Sequence, residues 1–285
     1  MTFVHRVQPQ ATDIVSLPRL ERARGAVRVG LRVDGNVTRL RENFQSGSAK
    51  VRYPTPEAGR TFEAVLLNTA GGLTGGDALS YAVTVDAGAC GVATTQAAER
   101  VYRRTIGVAS IETRLSVGDD ASLDWLQQET IIFDRSALRR TIDADVHPSG
   151  RLLAVEAILL GRAAMGETVR NVVLSDSWRI RRGGRLVFAE GLRLDGDAVA
   201  VMAGGATGNG ATALATLVLV APDAEAKSET ARAALDDAAC ECGVSAWNGM
   251  LVARLIAPTG QVLRADLIRL IEALRGEPMP RVWSC

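Results

Sequence analysis

Histidine is nearly absent from this sequence, which has two in 285 residues. His5 lies in the N-terminal segment, and His147 lies in the turn sequence HPSG, where we expect an ordinary surface histidine. A Ser-His-Asp or Cys-His nucleophile would have to use one of these two, and the sequence has no GxSxG elbow. The scarcity of histidine therefore argues against nucleophilic hydrolysis.

Long apolar runs and aromatic side chains are also scarce. No run approaches the roughly 20 residues of a membrane span, and the opening MTFVHRVQPQATD lacks the apolar core of a signal peptide, so we expect a cytoplasmic protein. Aromatic residues make up 4% of the chain, too few for stacking platforms, and no nucleic-acid recognition motif appears. We expect neither a membrane span nor a nucleic-acid partner.

The four cysteines do not form a metal-ligand pattern. Cys240 and Cys242 are two positions apart, a spacing that would not share one face of a helix, and Cys90 and Cys285 are distant in sequence. Without a secretory signal, reduced thiols are expected rather than disulfides. The sequence therefore predicts no tight metal site.

Lysine is rare among the basic residues, since only Lys50 and Lys227 accompany the arginines. Residues 1–60 hold eleven basic and five acidic side chains, so the basic charge is concentrated near the N-terminus. Arginine suits bidentate pairing with carboxylates at interfaces. A genomic preference for arginine on a solvated face accounts for the pattern equally well.

Short segments with alternating apolar residues, separated by Gly and Asp turns, fill the chain from Arg24 to about Val220. This period of two is typical of half-buried strands. In two such segments, the residues at every second position would share one buried face; they are Leu79, Tyr81, Val83, Val85, Ile111, Thr113, Leu115 and Val117. We expect a mainly β fold, a large multi-stranded, partly solenoid-like antiparallel β body, although no repeat of fixed length is present.

The last quarter of the chain predicts two α-helices packed on the β body. One would begin after Pro222, with Asp223 as N-cap, and stop at Gly243. The second, in VLRADLIRLIEALRGEP, has leucines and an isoleucine at helical spacing and ends at Gly276. No linker divides the chain, so we expect one domain over residues 1–285, with residues 1–23 as a loosely ordered tail.

Two glycine-rich stretches raise the question of nucleotide binding. In LLNTAGGLTGGD, Asp77 stands where a P-loop would have lysine, and a carboxylate there would repel phosphate. The segment Gly205–Gly210 resembles part of a dinucleotide fingerprint, but a β-branched, alternating stretch follows it rather than a helix. An NAD(P)-linked oxidoreductase that uses this segment is the alternative function.

Paired carboxylates are the remaining route to an enzyme. Glu129 and Asp134 are separated by an odd number of positions, so in one continuous strand they would point to opposite faces and could not act as a pair. Single buried acids are more often structural partners of arginine, such as Arg100, Arg103 or Arg162.

Five stretches follow one another in a characteristic order. They are LLNTAGGLTGGD (66–77), VATTQAAERVYR (92–103), LDWLQQETIIFD (123–134), AILLGRAAMGE (157–167) and PRVWSC (280–285). In this order and spacing they resemble the UreD (UreH) family of urease accessory proteins, from about Gly25 to the C-terminus.

The resemblance implies a scaffold or chaperone that is not an enzyme. Such a protein binds the urease apoprotein and recruits UreF and the GTPase UreG into a complex for nickel insertion, with UreE as nickel donor and a tunnel as the path of nickel. Transient nickel binding would then require weak, exchangeable oxygen ligands, with no tightly bound cofactor.

The resemblance also implies a set of site residues. In the glycine loop, Gly71, Gly72, Gly75 and Gly76 are expected to be backbone requirements at a tight turn or at a close approach of another chain, and Asp77 closes the loop. Candidate acids along the nickel path are Asp77, Glu129, Asp134, Glu156 and Glu167; pairing with core arginines is an equally good interpretation of each. Asn68, Thr69 and Ala70 depart from the His and Pro of many family members, which weakens metal binding by the loop itself.

Overall fold

A computed structural model describes residues 21–55, 61–162 and 165–284. Residues 1–20 of the tail predicted over residues 1–23 lie outside the described residues. The strands are β1 (Arg24–Asp34), β2 (Val37–Gly47), β3 (Ala49–Arg52), β4 (Phe62–Asn68), β5 (Ala78–Val85), β6 (Cys90–Thr95), β7 (Glu99–Val101), β8 (Ala109–Val117), β9 (Ser122–Leu126), β10 (Thr130–Ile132), β11 (Ser136–Val146), β12 (Arg151–Leu160), β13 (Val172–Arg182), β14 (Arg185–Gly196), β15 (Ala213–Val220), β16 (Glu241–Trp247) and β17 (Met250–Ala257). The helices are α1 (Ala198–Met202), α2 (Ser228–Ala233) and α3 (Gly260–Arg275), with short 3-10 turns at Glu225–Lys227 and Arg281–Ser284. The mainly β class is confirmed.

The strands form two sheets. The seven-stranded sheet has the order β14-β13-β11-β8-β5-β1-β2. The ten-stranded sheet has the order β16-β17-β15-β12-β9-β6-β4-β3, with β10 beside β12 and β7 beside β10. Between β4 and β13 the chain visits the two sheets in turn, which winds it into a solenoid.

Pairing direction is where the fold departs from the sequence expectation. Strands of successive coils pair in parallel, as β5 does with β8 and β9 with β12. Antiparallel pairs occur toward the margins, as in β1 with β2 and β13 with β14. The reason is the winding itself: a chain that crosses to the other sheet after each strand returns in the same direction. Alternation in the sequence predicts which face is buried and contains no information on this direction.

The lack of a fixed repeat also follows from the winding. Successive coils enter the ten-stranded sheet at Phe62, Cys90, Ser122 and Arg151. These starts are unevenly spaced because the loops between the sheets differ in length. The solenoid therefore has regular strands and an irregular sequence period.

Apolar side chains fill the space between the sheets. The predicted parity is confirmed, since every second residue of β5, from Leu79 to Val85, is buried in this core. A second apolar layer lies under α3, where Leu263, Leu267 and Leu270 pack against the opposite face of the ten-stranded sheet. Thr259 caps the start of α3, and Gly276 ends it with a left-handed φ of 70°.

The first predicted helix is much shorter than expected. Helix α2 covers only Ser228–Ala233, and Cys242 and Gly243 lie in β16, which pairs with β17. Beyond Leu235 the segment begins with two aspartates and offers no apolar stripe for a helix, whereas the edge of β17 offers backbone partners. Within the described part of the chain, no helix has the length and apolar character needed to cross a bilayer.

Candidate functional site

Four of the five motif stretches converge at one end of the solenoid, where the chain passes from the ten-stranded to the seven-stranded sheet. We call residues 69–77, 96–108, 127–135, 161–162 and 165–171 the loop end. The backbone of each loop is hydrogen-bonded to that of the next. Leu73 N donates to Arg100 O at 2.7 Å, Phe133 N to Val101 O at 3.0 Å and Gly161 N to Ile132 O at 2.8 Å. The motif residues therefore form one continuous stack of loops.

The four glycines of the first loop serve two different needs. A Cβ on Gly72 would lie 2.3 Å from the Tyr102 ring, and one on Gly75 would lie 2.1 Å from the carbonyl oxygen of Ile106. Gly71 and Gly76 instead have left-handed φ angles of 75° and 95°. The close approaches at Gly72 and Gly75 come from the next loop of this chain, whereas the φ angle of Gly71 belongs to the turn itself, since nothing lies within 4 Å of its Cβ position. A role of the loop at an interface stays a prediction.

Asp77 closes the glycine loop. Its buried carboxylate accepts hydrogen bonds from the backbone N–H of Ala23 at 2.9 Å and of Thr74 at 2.8 Å. These bonds fix the turn and tie the segment before β1 to the loop. Both oxygens of the carboxylate therefore already accept hydrogen bonds from the backbone.

Glu129 faces away from the core between the sheets, toward α3. Its carboxylate binds the guanidinium of Arg264 at 2.8 Å, and Arg264 also donates to the carbonyl oxygen of Trp283 at 2.7 Å. The indole N–H of Trp283 donates to Thr94 Oγ1 at 2.9 Å. This network joins the third motif stretch to the last one.

Asp134 and Glu167 lie next to each other at the loop end. Asp134 accepts from the backbone N–H of Arg170 and Asn171, each at 2.9 Å, while its own N–H donates to Glu167 at 3.2 Å. Glu167 also binds Arg162 at 2.8 Å. Although burial raises the pKa of Glu167, the hydrogen bonds from Arg162 and from the amide of Asp134 lower it below its ordinary value. Both acids hold the loop stack together.

Glu156 is the candidate acid that lies between the sheets. Together with Arg140 and Asp176 it forms what we call the interior cluster, in which one buried guanidinium binds both carboxylates. Glu156 also accepts from the Trp125 indole at 3.3 Å. Burial raises the pKa of Glu156 to about 7, against the lowering effect of Arg140, and Asp176 adds to the rise. Burial is the main cause, and the second carboxylate that shares the same guanidinium adds to it.

The interior cluster borders a cavity of about 200 Å³ between the sheets. The far side of the cavity carries Glu190, which binds Arg254 and accepts from Thr216 Oγ1 at 3.1 Å. One oxygen of Asp176, Oδ1, is buried without a hydrogen-bond partner among the described residues. The cavity therefore has acidic groups on two sides and an oxygen with free capacity to bind.

Glu99 is a further acid that sequence reasoning missed. It is mostly buried beside a cavity of about 150 Å³, and the Asn68 amide donates to both of its carboxylate oxygens at 3.2 Å. Burial raises the pKa of Glu99 to about 7. Burial also raises the pKa of Tyr81, with Glu99 and Glu156 adding to the effect, which places all three in one electrostatic neighbourhood. Asn68, the first residue of the departure noted in the glycine loop, is thus the partner of a buried acid.

A sequence signal for the missed residues existed. Arg140 lies between Leu138 and Ile142 on the inward parity of β11, and Asp176 lies between Leu174 and Trp178 on that of β13. A charged residue in phase with the apolar positions of a strand predicts a buried charge that needs a partner.

The remaining sequence candidates lie apart from these groups. Gly205–Gly210 follows the short α1 and precedes β15, so helix and strand stand in the reverse of the order that a dinucleotide fingerprint requires. His147 lies in an exposed turn beside Ser149 and Asp119. In the described ranges, no three His, Cys, Asp or Glu side chains gather into a metal-ligand group. The five candidate acids are likewise dispersed, apart from Asp134 and Glu167.

Comparison with known proteins gives a consistent family. The model of the family described as UreD urease accessory protein matches residues 23–284. Urease accessory protein UreD of Rhizobium leguminosarum bv. trifolii is 49% identical over 268 residues, which cover 93% of this chain and 97% of the relative. UreD 2 of Methylorubrum populi is 46% identical over 275 residues, covering 94% and 92%, and UreD of Azorhizobium caulinodans is 42% identical over 267 residues, covering 94% and 98%. The chain belongs to the UreD family of urease accessory proteins.

Proposed function

We propose that this chain is a cytoplasmic, non-enzymatic scaffold in urease maturation. In this proposal it binds the urease apoprotein and assembles with UreF and the GTPase UreG, with UreE supplying nickel. The observation that carries the proposal is the family match over residues 23–284, in which the motif stretches build one stacked surface. Such a use of motif residues is typical of a scaffold, because most of their polar groups bind one another.

The proposal includes a path for nickel between the two sheets. Four of the candidate acids, Asp77, Glu129, Asp134 and Glu167, are engaged by backbone donors or arginine. Glu156 differs, because it lies between the sheets beside a cavity. Nickel in transit requires oxygen ligands that bind weakly and exchange, which a carboxylate shared with arginine provides.

Glu99 extends this path toward the loop end. The electrostatic influence of Glu99 and Glu156 on the pKa of Tyr81 indicates that both acids lie near the same side chain. Tyr81 in turn lies against Trp125, with ring centroids 6.3 Å apart, and Trp125 donates to Glu156. We assign the path to this sequence of groups, from the cavity at Glu99 to the cavity at Asp176 and Glu190.

The test is co-expression of the tagged chain with the host urease subunits and the candidate accessory proteins. Copurifying proteins, urease activity and nickel per urease are measured with the wild-type chain, without it, and with the Glu156→Gln/Asp176→Asn variant. This variant keeps the side-chain shapes and removes both negative charges. We expect wild-type chain to copurify with urease and raise its nickel content, and the variant to copurify equally while delivering less nickel.

The outcomes separate the two parts of the proposal. Urease that is fully loaded with nickel in the absence of the chain would rule out the maturation role. Equal nickel loading by the variant and the wild-type chain would rule out the interior path and leave the scaffold role intact.

A further inference from the structure

An open groove lies at the loop end. It has a volume of about 480 Å³ and is lined in part by Phe133 and Leu159, with Met165 at its margin. Tyr102 contacts Phe133 edge-on at 5.0 Å between centroids, and the Arg162 guanidinium lies over the Phe133 ring at 4.3 Å. Met165 is 74% exposed. The groove therefore has a packed aromatic floor and one exposed, unbranched apolar side chain at its margin.

Two arginines, Arg100 and Arg162, line this groove, and four more lie elsewhere in the loop end. The loop end contains Arg100, Arg103, Arg104, Arg135, Arg162 and Arg170. Its acids are buried or half-buried, and the described residues of the loop end include no acid in the exposed class. Asp134 and Glu167 are further neutralised by backbone donors and by Arg162. The surface that faces solvent is consequently basic.

Two of these arginines are available for binding. Arg100 and Arg103 are exposed, and their backbone carbonyls accept bonds from Leu73 and from Thr74. Their guanidinium groups form no hydrogen bond or ion pair with other described residues. Arg104, by comparison, donates to the Gly107 carbonyl at 2.8 Å. The fixed backbone holds Arg100 and Arg103 in place, and the charge of Arg100 also lowers the pKa of the neighbouring Glu99.

We infer that the loop end is a docking surface for an acidic protein partner, which inserts an apolar side chain into the groove and places carboxylates against Arg100 and Arg103. An apolar centre with a polar rim is the usual anatomy of a protein interface. Guanidinium groups bind carboxylates in a bidentate manner. The groove is open and its floor is apolar, which suits an anchoring side chain better than a small free anion.

This inference rests on the proposed function for the choice of partners to be tested. The dissociation constant of the tagged chain is measured for the urease apoprotein, for UreF and for the UreF–UreG pair. The wild-type chain is compared with the Arg100→Glu/Arg103→Glu variant and with Met165→Asp. The matched control is Arg179→Glu/Arg185→Glu, which makes the same change of charge at two exposed arginines on β13 and β14, away from the groove.

We expect Arg100→Glu/Arg103→Glu to weaken binding of one partner by about 10-fold or more, and the control by less than about threefold. Salt from about 0.05 to about 0.3 M should weaken wild-type binding more than binding of the reversed variant. Met165→Asp should also weaken binding. It keeps the inference testable if the double variant unfolds, which circular dichroism would reveal.

Two other outcomes have distinct meanings. If the wild-type chain binds a partner and the loop-end variants bind it as the control does, the docking surface is elsewhere and this inference is wrong. If the wild-type chain binds none of these proteins, the proposed function fails and the inference fails with it.

Discussion

The two ends of the solenoid are built differently, although the same strands connect them. At the loop end the chain crosses between the sheets through long segments that stack backbone on backbone and keep their acids inside. At the opposite end, which we call the turn end, residues 86–89, 118–121 and 147–150 make short turns between coils. These turns contain Asp86, Asp119 and Asp120 and no arginine.

The comparison accounts for where the family motifs occur. Long loops that touch one another impose steric and hydrogen-bonding demands on particular residues, as Gly72 and Gly75 illustrate. The turns at the opposite end are shorter, although backbones meet there too: a Cβ on Gly118 or on Gly150 would lie 2.9 Å from the backbone of another turn. The motif stretches are concentrated at the end where the segments that meet are long.

The largest expected difference between the ends concerns glycine. Gly75→Ala at the loop end would place a Cβ 2.1 Å from the carbonyl oxygen of Ile106, which must move. We expect a loss of about 3 kcal/mol or more in the free energy of unfolding. Gly88→Ala at the turn end meets only ordinary contact with Val33 at 3.5 Å and a φ of 70°, and should cost about 1 kcal/mol. Urea titration of both variants measures the difference, and equal losses would contradict the close stacking of the loops.

A difference of intermediate size concerns the buried acid of the loop end. The folded pKa of Glu99 is raised to about 7 from 4.5, so the folded protein retains a proton that the unfolded chain releases. The stabilising effect of this proton is complete below about pH 4.5 and is lost as pH rises through about 7. Glu99→Gln should remove the part of this pH dependence that Glu99 contributes, on the order of 1–3 kcal/mol between the two pH values. The part that Glu156 contributes should remain, because burial raises the pKa of Glu156 to about 7 as well.

The measurement is the free energy of unfolding of both proteins from about pH 5 to about pH 8. Gln keeps one oxygen to accept from Asn68, so the variant isolates the charge from the hydrogen bond. A slope that is as steep in the variant as in the wild-type protein would show that Glu99 does not contribute to it.

The smallest expected difference concerns two residues with left-handed backbone. Arg135 at the loop end has φ 60°, and Asp120 at the turn end has φ 47°. Because aspartate tolerates this region better than arginine does, Arg135→Gly should stabilise the fold by about 0.5–1 kcal/mol and Asp120→Gly by less. Thermal midpoints of the two variants test the order. A larger gain for Asp120→Gly would indicate that the loop stack depends on the Arg135 side chain.

Sequence reasoning succeeds here where a local pattern determines the outcome. The alternation in β5 and β8 predicts their buried faces, and the leucine spacing with Gly276 predicts α3 and its end. The glycine loop is interpreted from the same kind of local pattern, because four glycines in six positions supply conformational freedom and close approach rather than side-chain chemistry. Its role as a site stays a prediction.

The features of the fold and of the site that the sequence does not predict depend on contacts between residues distant in the chain. The parallel pairing of β5 with β8 depends on how the chain winds, and the end of α2 depends on the edge that β17 offers. The partner of Glu129 is Arg264, 135 positions later, which no local pattern indicates. Arg140 and Asp176 could have been singled out by their inward parity, but their association with Glu156 requires the two sheets to face each other.

The bond between Trp283 and Thr94 has a consequence for biosynthesis. Thr94 lies in β6, and the indole that covers it is translated 189 positions later. A chain emerging from the ribosome can wind its first coils early, but this face of β6 stays uncovered until residue 283 is available. We therefore expect the nascent chain to expose an aggregation-prone sheet face for most of its synthesis. A binding partner or a chaperone present during this period would have the greatest effect on the yield of folded protein.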